Sequence, residues 1–176
     1  MHPNSITLCR DFINRFLDRS TPLRIADVGS ADVNGTYREY FDCPNWKYTG
    51  FDLQPGNNVD VVLAAGDYWN LSPEHREAYD VVVSGQVMEH VRKPWRWILD
   101  VASLCKPGGL IWISAPCVEI YHEHPVDCWR IYPEGMRALA EEAGIDVLSC
   151  YVNGNDTTGV FRKPNRLGAY VTGQAS

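Results

Sequence analysis

Apolar positions along the chain follow two alternating patterns. In "MHPNSITLCRDFINRFLDRS", Leu8, Phe12, Ile13, Phe16 and Leu17 recur at three- and four-residue spacing among charges, which predicts a short amphipathic helix. Contiguous apolar runs come next: "LRIADVG" predicts a first strand, "KYTGFDL" a second, "VDVVLAAGD" a third, "YDVVVSG" a fourth and "LIWISAP" a fifth. "TYREYF" with its flanks reads as a helix. A longer one runs from Pro94 to Leu104, with Trp95, Ile98, Leu99 and Ala102 on the face toward the sheet, Arg96 and Asp100 turned away, and Trp97 exposed; "KPGG" stops it. In "PEGMRALAEEAG", Pro133 suits a first turn, Glu134 favours the positive end of the helix dipole and Gly144 ends the helix. Two β-like segments, "IDVLSCYVNG" and "RLGAYVTG", follow without a helix between them and predict an antiparallel pair.

Strands nearly continuous in Val, Ile and Leu, separated by helical crossovers, belong to a parallel sheet covered on both faces. The expected fold is an α/β three-layer sandwich. At 176 residues, 45% of them hydrophobic and 22% charged, the chain fits one folded domain, and no linker or repeat divides it. Within 1–176 the expected parts are an N-terminal helix over 1–21, a binding half over 22–116, and an acceptor-side loop, helix and hairpin over 117–176.

Charge and cysteine usage narrow the function classes. A formal net charge of -6 with no basic run argues against a sequence-independent grip on nucleic acid. No segment has the uninterrupted apolar length of a signal peptide or a membrane span. Cys9, Cys43, Cys105, Cys117, Cys128 and Cys150 are scattered without a CxxC, as in reduced intracellular proteins, so the cytoplasm is the expected location.

The loop of "IADVGSADVNG" is where an open α/β sheet binds its ligand. A dinucleotide fingerprint would place glycines at 29, 31 and 34, but Ala31 stands at the second position and Gly35 is one residue late. Asp27, Asp52, Asp67 and Glu89 are expected at successive strand ends, a rim that repels a diphosphate and suits hydroxyls, an ammonium and a sulfonium. S-adenosylmethionine carries all three.

These segments resemble the motifs of class I S-adenosylmethionine-dependent methyltransferases, most closely the small type 11 and type 23 families. "IADVGSADVNG", "YTGFDLQPG", "AAGDYWNL", "YDVVVSGQVMEHV" and "LCKPGGLIWISAP" stand in the order and spacing of those motifs over roughly residues 22 to 150. The resemblance implies a mostly parallel seven-stranded sheet with a C-terminal antiparallel hairpin, supplied here between Asp146 and Gly173. It also implies that Asp27, Gly29, Ser30 and Ala31 meet the methionine end of the cofactor and that Asp52 takes the ribose hydroxyls. Asp67 would take the adenine amine with Leu53 and Tyr68 beside the ring, and Gly85, Gln86 and Val87 would close the methionine side.

Methyl transfer to a hydroxyl needs alignment and a base. "MEHV" supplies Glu89 and His90; "CVEIYHEHPVDCWRIYPEG" resembles an HxxPxDxWR element of related methyltransferases and supplies His122, His124, Asp127, Trp129 and Arg130. The expectation is that His90 or His122 removes the proton, with Asp127 or Glu89 orienting it, while His124, Trp129 and Arg130 help form the acceptor pocket. An Asp127–Arg130 pair that simply holds the loop is the alternative for those two residues. Cys117, His122, His124 and Cys128 match no familiar zinc spacing, so no metal is expected. The expected acceptor is a small molecule bearing a reactive oxygen, on a sugar or secondary metabolite, and a homodimer would explain how so short a chain closes its acceptor pocket. The rivals are an NAD-dependent oxidoreductase and a non-catalytic binding module of the same fold.

Overall fold

Each apolar run becomes a strand because its side chains are buried on both faces at once. The computed structural model describes residues 3–63, 71–123 and 126–165. Strands β1 (Leu23–Val28), β2 (Trp46–Asp52), β3 (Val61–Val62), β4 (Tyr79–Gly85), β5 (Cys105–Pro116), β6 (Asp146–Asn153) and β7 (Asp156–Arg162) form one sheet in the order β3-β2-β1-β4-β5-β7-β6. The first five run parallel, and β7 lies antiparallel between β5 and β6. Neighbouring residues in a strand serve opposite layers. Ile25, Val81, Val83 and Trp112 pack with Leu8, Phe12 and Ile13 of helix α1 (Pro3–Phe16), whereas Ala26, Val82, Ile111 and Ile113 pack with Trp97, Ile98 and Val101 of α2 (Pro94–Leu104) and Met136 of α3 (Pro133–Glu142).

Several sequence expectations are corrected. "TYREYF" forms only a single 3-10 turn, Arg38–Phe41, because Pro44 follows closely and disfavours helical backbone before it. On α2 the two tryptophans exchange roles: Trp97 is 5% exposed and Trp95 is 46% exposed. Positions 97, 98, 101 and 102 make the buried stripe, so Trp95 falls outside it. The third strand is two residues long, and positions 64–70 lie outside the described residues. "KPGG" is a bulge inside β5 rather than a turn before it: pairing with β4 jumps from Tyr79↔Cys105 to Val81↔Leu110. The hairpin's second strand is Asp156–Arg162, whereas "RLGAYVTG" lies outside the described residues. Gly154, at φ 58, opens the two-residue turn between Asn153 and Asp156, as the first central position of a type II′ turn requires.

All six cysteines are unpaired, four of them buried. Among the described residues, no helix is long and apolar enough to cross a membrane.

Candidate functional site

The strand order reverses between β1 and β4, which leaves a crevice at their carboxyl ends. A cavity of about 940 Å³ opens there. One end is walled by Gly29 and Ala31 after β1 and by Asp52 and Leu53 after β2; Gly85, Gln86 and Val87 after β4 form its floor. Glu89, His90 and His122 also line it, as do Arg96, Trp97 and Asp100 of α2.

The first loop is wound around Asn58. Asn58 holds a left-handed φ of 69, donates through Nδ2 to the Ser30 carbonyl at 2.7 Å and to Thr36 Oγ1 at 2.8 Å, and its own carbonyl accepts from Ser30 Oγ at 3.0 Å. Ser30 is thereby buried as a brace of the loop. The Ala31 amide donates to Asp52 Oδ2 at 3.0 Å and the Leu53 amide to Asp52 Oδ1 at 2.7 Å, which holds the carboxylate at the cavity edge with lone pairs to spare. Gly29, at φ 78, has no room for a side chain: a Cβ there would stand 2.2 Å from Val87 Cγ2.

Asp27 does not reach the cavity wall. It is 3% exposed beneath the loop, accepts a hydrogen bond from the Tyr48 hydroxyl, and burial pushes its carboxyl up to about 7 against the lowering effect of Tyr48 and Arg38. Burial and the neighbouring carboxylate likewise raise the Tyr48 phenol. Of the described acids expected on the rim, Asp52 keeps a partly exposed place at the cavity edge, whereas Asp27 and Glu89 are both buried. Arg92, Lys93 and Arg96 line the cavity on the α2 side. Asp67, Tyr68 and His124 lie outside the described residues.

At the far end, Glu89 is completely buried and neither of its oxygens has a hydrogen-bond partner. Burial pushes its carboxyl up to about 8, partly offset by the attraction of Arg130. His90 Nε2 stands 3.6 Å from Glu89 Oε1, while His90 Nδ1 donates to the Val126 carbonyl at 2.6 Å. The His122 ring meets that of His90 nearly edge-on at 5.2 Å; its Nδ1 donates to the Ile120 carbonyl at 3.0 Å and stands 3.7 Å from Asp127 Oδ2.

Asp127, Trp129 and Arg130 stand behind this end, away from the wall, and fasten its loop. Arg130 grips Asp127 with two parallel bonds of 2.6 and 2.8 Å, which hold the Asp127 carboxyl well below the usual range. The amides of Cys128 and Trp129 donate to the Glu89 carbonyl, Trp129 Nε1 donates to the Val91 carbonyl at 2.8 Å, and the Trp129 ring packs edge-on against Trp95 at 6.3 Å. Trp97 and Asp100 of α2 had no distinguishing signal in the sequence. Asn58 had one, since a polar residue in "GNN" is a frequent left-handed turn former.

A model of the methyltransferase domain family matches residues 2–149. A ubiquinone biosynthesis O-methyltransferase from Saccharophagus degradans is 37% identical over 62 residues, 35% of this chain and 25% of that protein. The chain thus spans about a quarter of the length of that curated relative. Among solved structures, a Burkholderia thailandensis 1,6-didemethyltoxoflavin-N1-methyltransferase with bound 1,6-didemethyltoxoflavin and S-adenosylhomocysteine is similar at TM-score 0.71 and 15% identity, covering 91% of this chain and 78% of that one. A SAM-dependent methyltransferase from Aquifex aeolicus is similar at TM-score 0.60 and 16% identity, covering 93% and 99%. At such identities the structures report the shared fold.

Proposed function

The chain belongs to the methyltransferase domain family, and we propose that it moves the methyl group of S-adenosylmethionine to an oxygen of a small-molecule acceptor. The observation that carries this reading is the polarity of the cavity. Asp52, beside glycine, alanine and leucine, lines the same cavity as a carboxylic acid with two imidazoles, Glu89, His90 and His122. The Asp52 end fits the cofactor's sugar: a carboxylate with spare lone pairs accepts from vicinal hydroxyls, while Ala31 stands where the close approach of NAD's pyrophosphate calls for glycine. The local likeness to ubiquinone O-methyltransferases supports an oxygen acceptor.

When bound, S-adenosylmethionine supplies a methyl group activated by its positively charged sulfur. Asp52 and the Gly29–Ala31 loop hold the cofactor, and Gly85, Gln86 and Val87 floor its methionine end. His90 or His122 takes the acceptor's proton. Each imidazole donates from Nδ1 to a backbone carbonyl, which leaves the lone pair on Nε2. Asp127 orients His122 through Nδ1 and stabilises its cation, whereas Glu89 stands 3.6 Å from His90 Nε2, on the side from which the proton arrives.

Calorimetric titration with S-adenosylmethionine and S-adenosylhomocysteine, with NAD as control, tests the cofactor. Both are expected to bind and NAD is not; Asp52→Ala is expected to weaken both by about 2–3 kcal/mol, the worth of hydrogen bonds to a charge. Absence of binding to the unmodified protein overturns the reading. Replacement of His90 and of His122 by Ala is expected to lower turnover in at least one variant; unchanged turnover in both removes the base.

A further inference from the structure

We propose that Glu89, His90 and His122 form a binding site for one divalent transition-metal ion of the zinc class at the acceptor end of the cavity. Their ligand atoms lie within 4.8 Å of one another. His90 Nε2 and Glu89 Oε1 stand 3.6 Å apart, close to the roughly 3.4 Å between ligands that bonds of about 2.0–2.2 Å impose on a tetrahedral ion. His122 sits on the loop after β5 with 34% of its side chain exposed, so it can draw inward to complete the set.

Glu89 supplies the second, independent observation. A buried carboxylate is ordinarily paired or hydrogen-bonded, because leaving it bare forfeits its hydration. Here both oxygens are buried without a hydrogen bond, in a residue that borders the cavity. The imidazoles are prepared for an ion as well. Carbonyls of Val126 and Ile120 can only accept, so each fixes a proton on Nδ1, the tautomer in which Nε2 is the nitrogen able to ligate a metal. Asp127 adds a carboxylate behind His122, the outer arrangement that metal-binding histidines commonly show.

Two imidazoles and one carboxylate select zinc, cobalt or nickel over magnesium and calcium, which prefer all-oxygen shells. Three protein ligands leave a position toward the cavity for an oxygen of the acceptor. That the open position faces an acceptor rests on the methyltransferase reading; the binding of the ion does not. The expectation from the sequence was no metal, and the Cys117, His122, His124 and Cys128 grouping set aside there is a different one: Cys117 is buried with its thiol on the Asn155 carbonyl, and neither it nor Cys128 belongs to the cluster.

The test uses the tag-free full chain, stripped with chelator and titrated with cobalt(II) by visible absorption and with zinc by calorimetry, without cofactor or acceptor. One ion per chain is expected, with little uptake of magnesium at equal concentration. Glu89→Gln and His122→Ala are each expected to weaken binding at least tenfold, and Cys128→Ser to leave it unchanged. Since His122 lies on a partly exposed loop, its replacement tests the site without endangering the fold. No stoichiometric uptake by the unmodified chain overturns the proposal, as does uptake that persists in both ligand variants or disappears in Cys128→Ser. S-adenosylhomocysteine binding to the metal-free protein, measured separately, tells a failure of this site from a failure of the methyltransferase reading.

Discussion

Asp27 keeps its carboxyl where ionisation is costly. Its ordinary value near 3.8 rises to about 7 in the folded chain, chiefly through burial. Below pH 4 the group is protonated in both states and contributes nothing to the pH dependence. Between about pH 4 and 7 the unfolded chain gives up the proton and the folded chain retains it, so stability falls as pH rises, and above pH 7 the loss is complete. Urea unfolding at pH 5 and pH 8 is expected to show a loss in the native sequence to which Asp27 and the likewise raised Glu89 both contribute, and a loss smaller by on the order of 3 kcal/mol in Asp27→Asn. An equal pH response in the two proteins would show that Asp27 ionises freely. Asp127 has the opposite sign: its carboxyl is held low by Arg130, so its contribution is present at neutral pH and disappears only in strong acid.

At the scale of elements, α2 shows what periodicity conveys and where it misleads. Ile98 and Ala102 were legible as buried positions, but Trp95 and Trp97 sit two residues apart and the wheel alone assigned them the wrong way round. Trp97→Ala is expected to cost about 3–5 kcal/mol, as a large side chain removed from a core does. Trp95→Ala, which removes one ring contact with Trp129, is expected to cost about 0.5–1.5 kcal/mol and to loosen the loop that carries His122. Thermal unfolding with protease sensitivity of the 118–132 segment separates the two. Strands β1, β2 and β4 were legible because their apolar residues run without interruption. Strand β7 was overlooked because "DTTGVFR" reads as half polar: Thr157 and Thr158 are buried by pairing with strands on both sides, a tertiary circumstance that local pattern does not carry. Its signal was Gly154–Asn155, a hairpin dipeptide between two β-rich runs. Likewise, the cavity's location followed from the loop after β1, while the clustering of Glu89, His90 and His122 depended on how the loop after β5 folds back, which spacing does not encode.

Gly159 joins β7 to the rest of the molecule. A Cβ there would stand 2.3 Å from Phe161 Cζ and 2.8 Å from Met136 Sδ, both in the core between sheet and α3. Gly159→Ala is expected to destabilise the whole protein by about 1–3 kcal/mol through overpacking, shown by a lower urea midpoint at unchanged slope. Across the molecule, amide exchange is expected to be slowest in β1, β4 and β5, which have strands on both sides, and fastest in the two-residue edge strand β3.

The sheet order also has a consequence for how the chain is made. β6 leaves the ribosome before β7, yet it pairs only with β7 and reaches β5 through it. Until Asp156–Arg162 has been synthesised, β5 presents an unpaired edge and β6 has nowhere to dock. The nascent chain therefore waits with an open, apolar edge for its last described strand, the interval in which chaperones would engage it and misassembly between copies would begin.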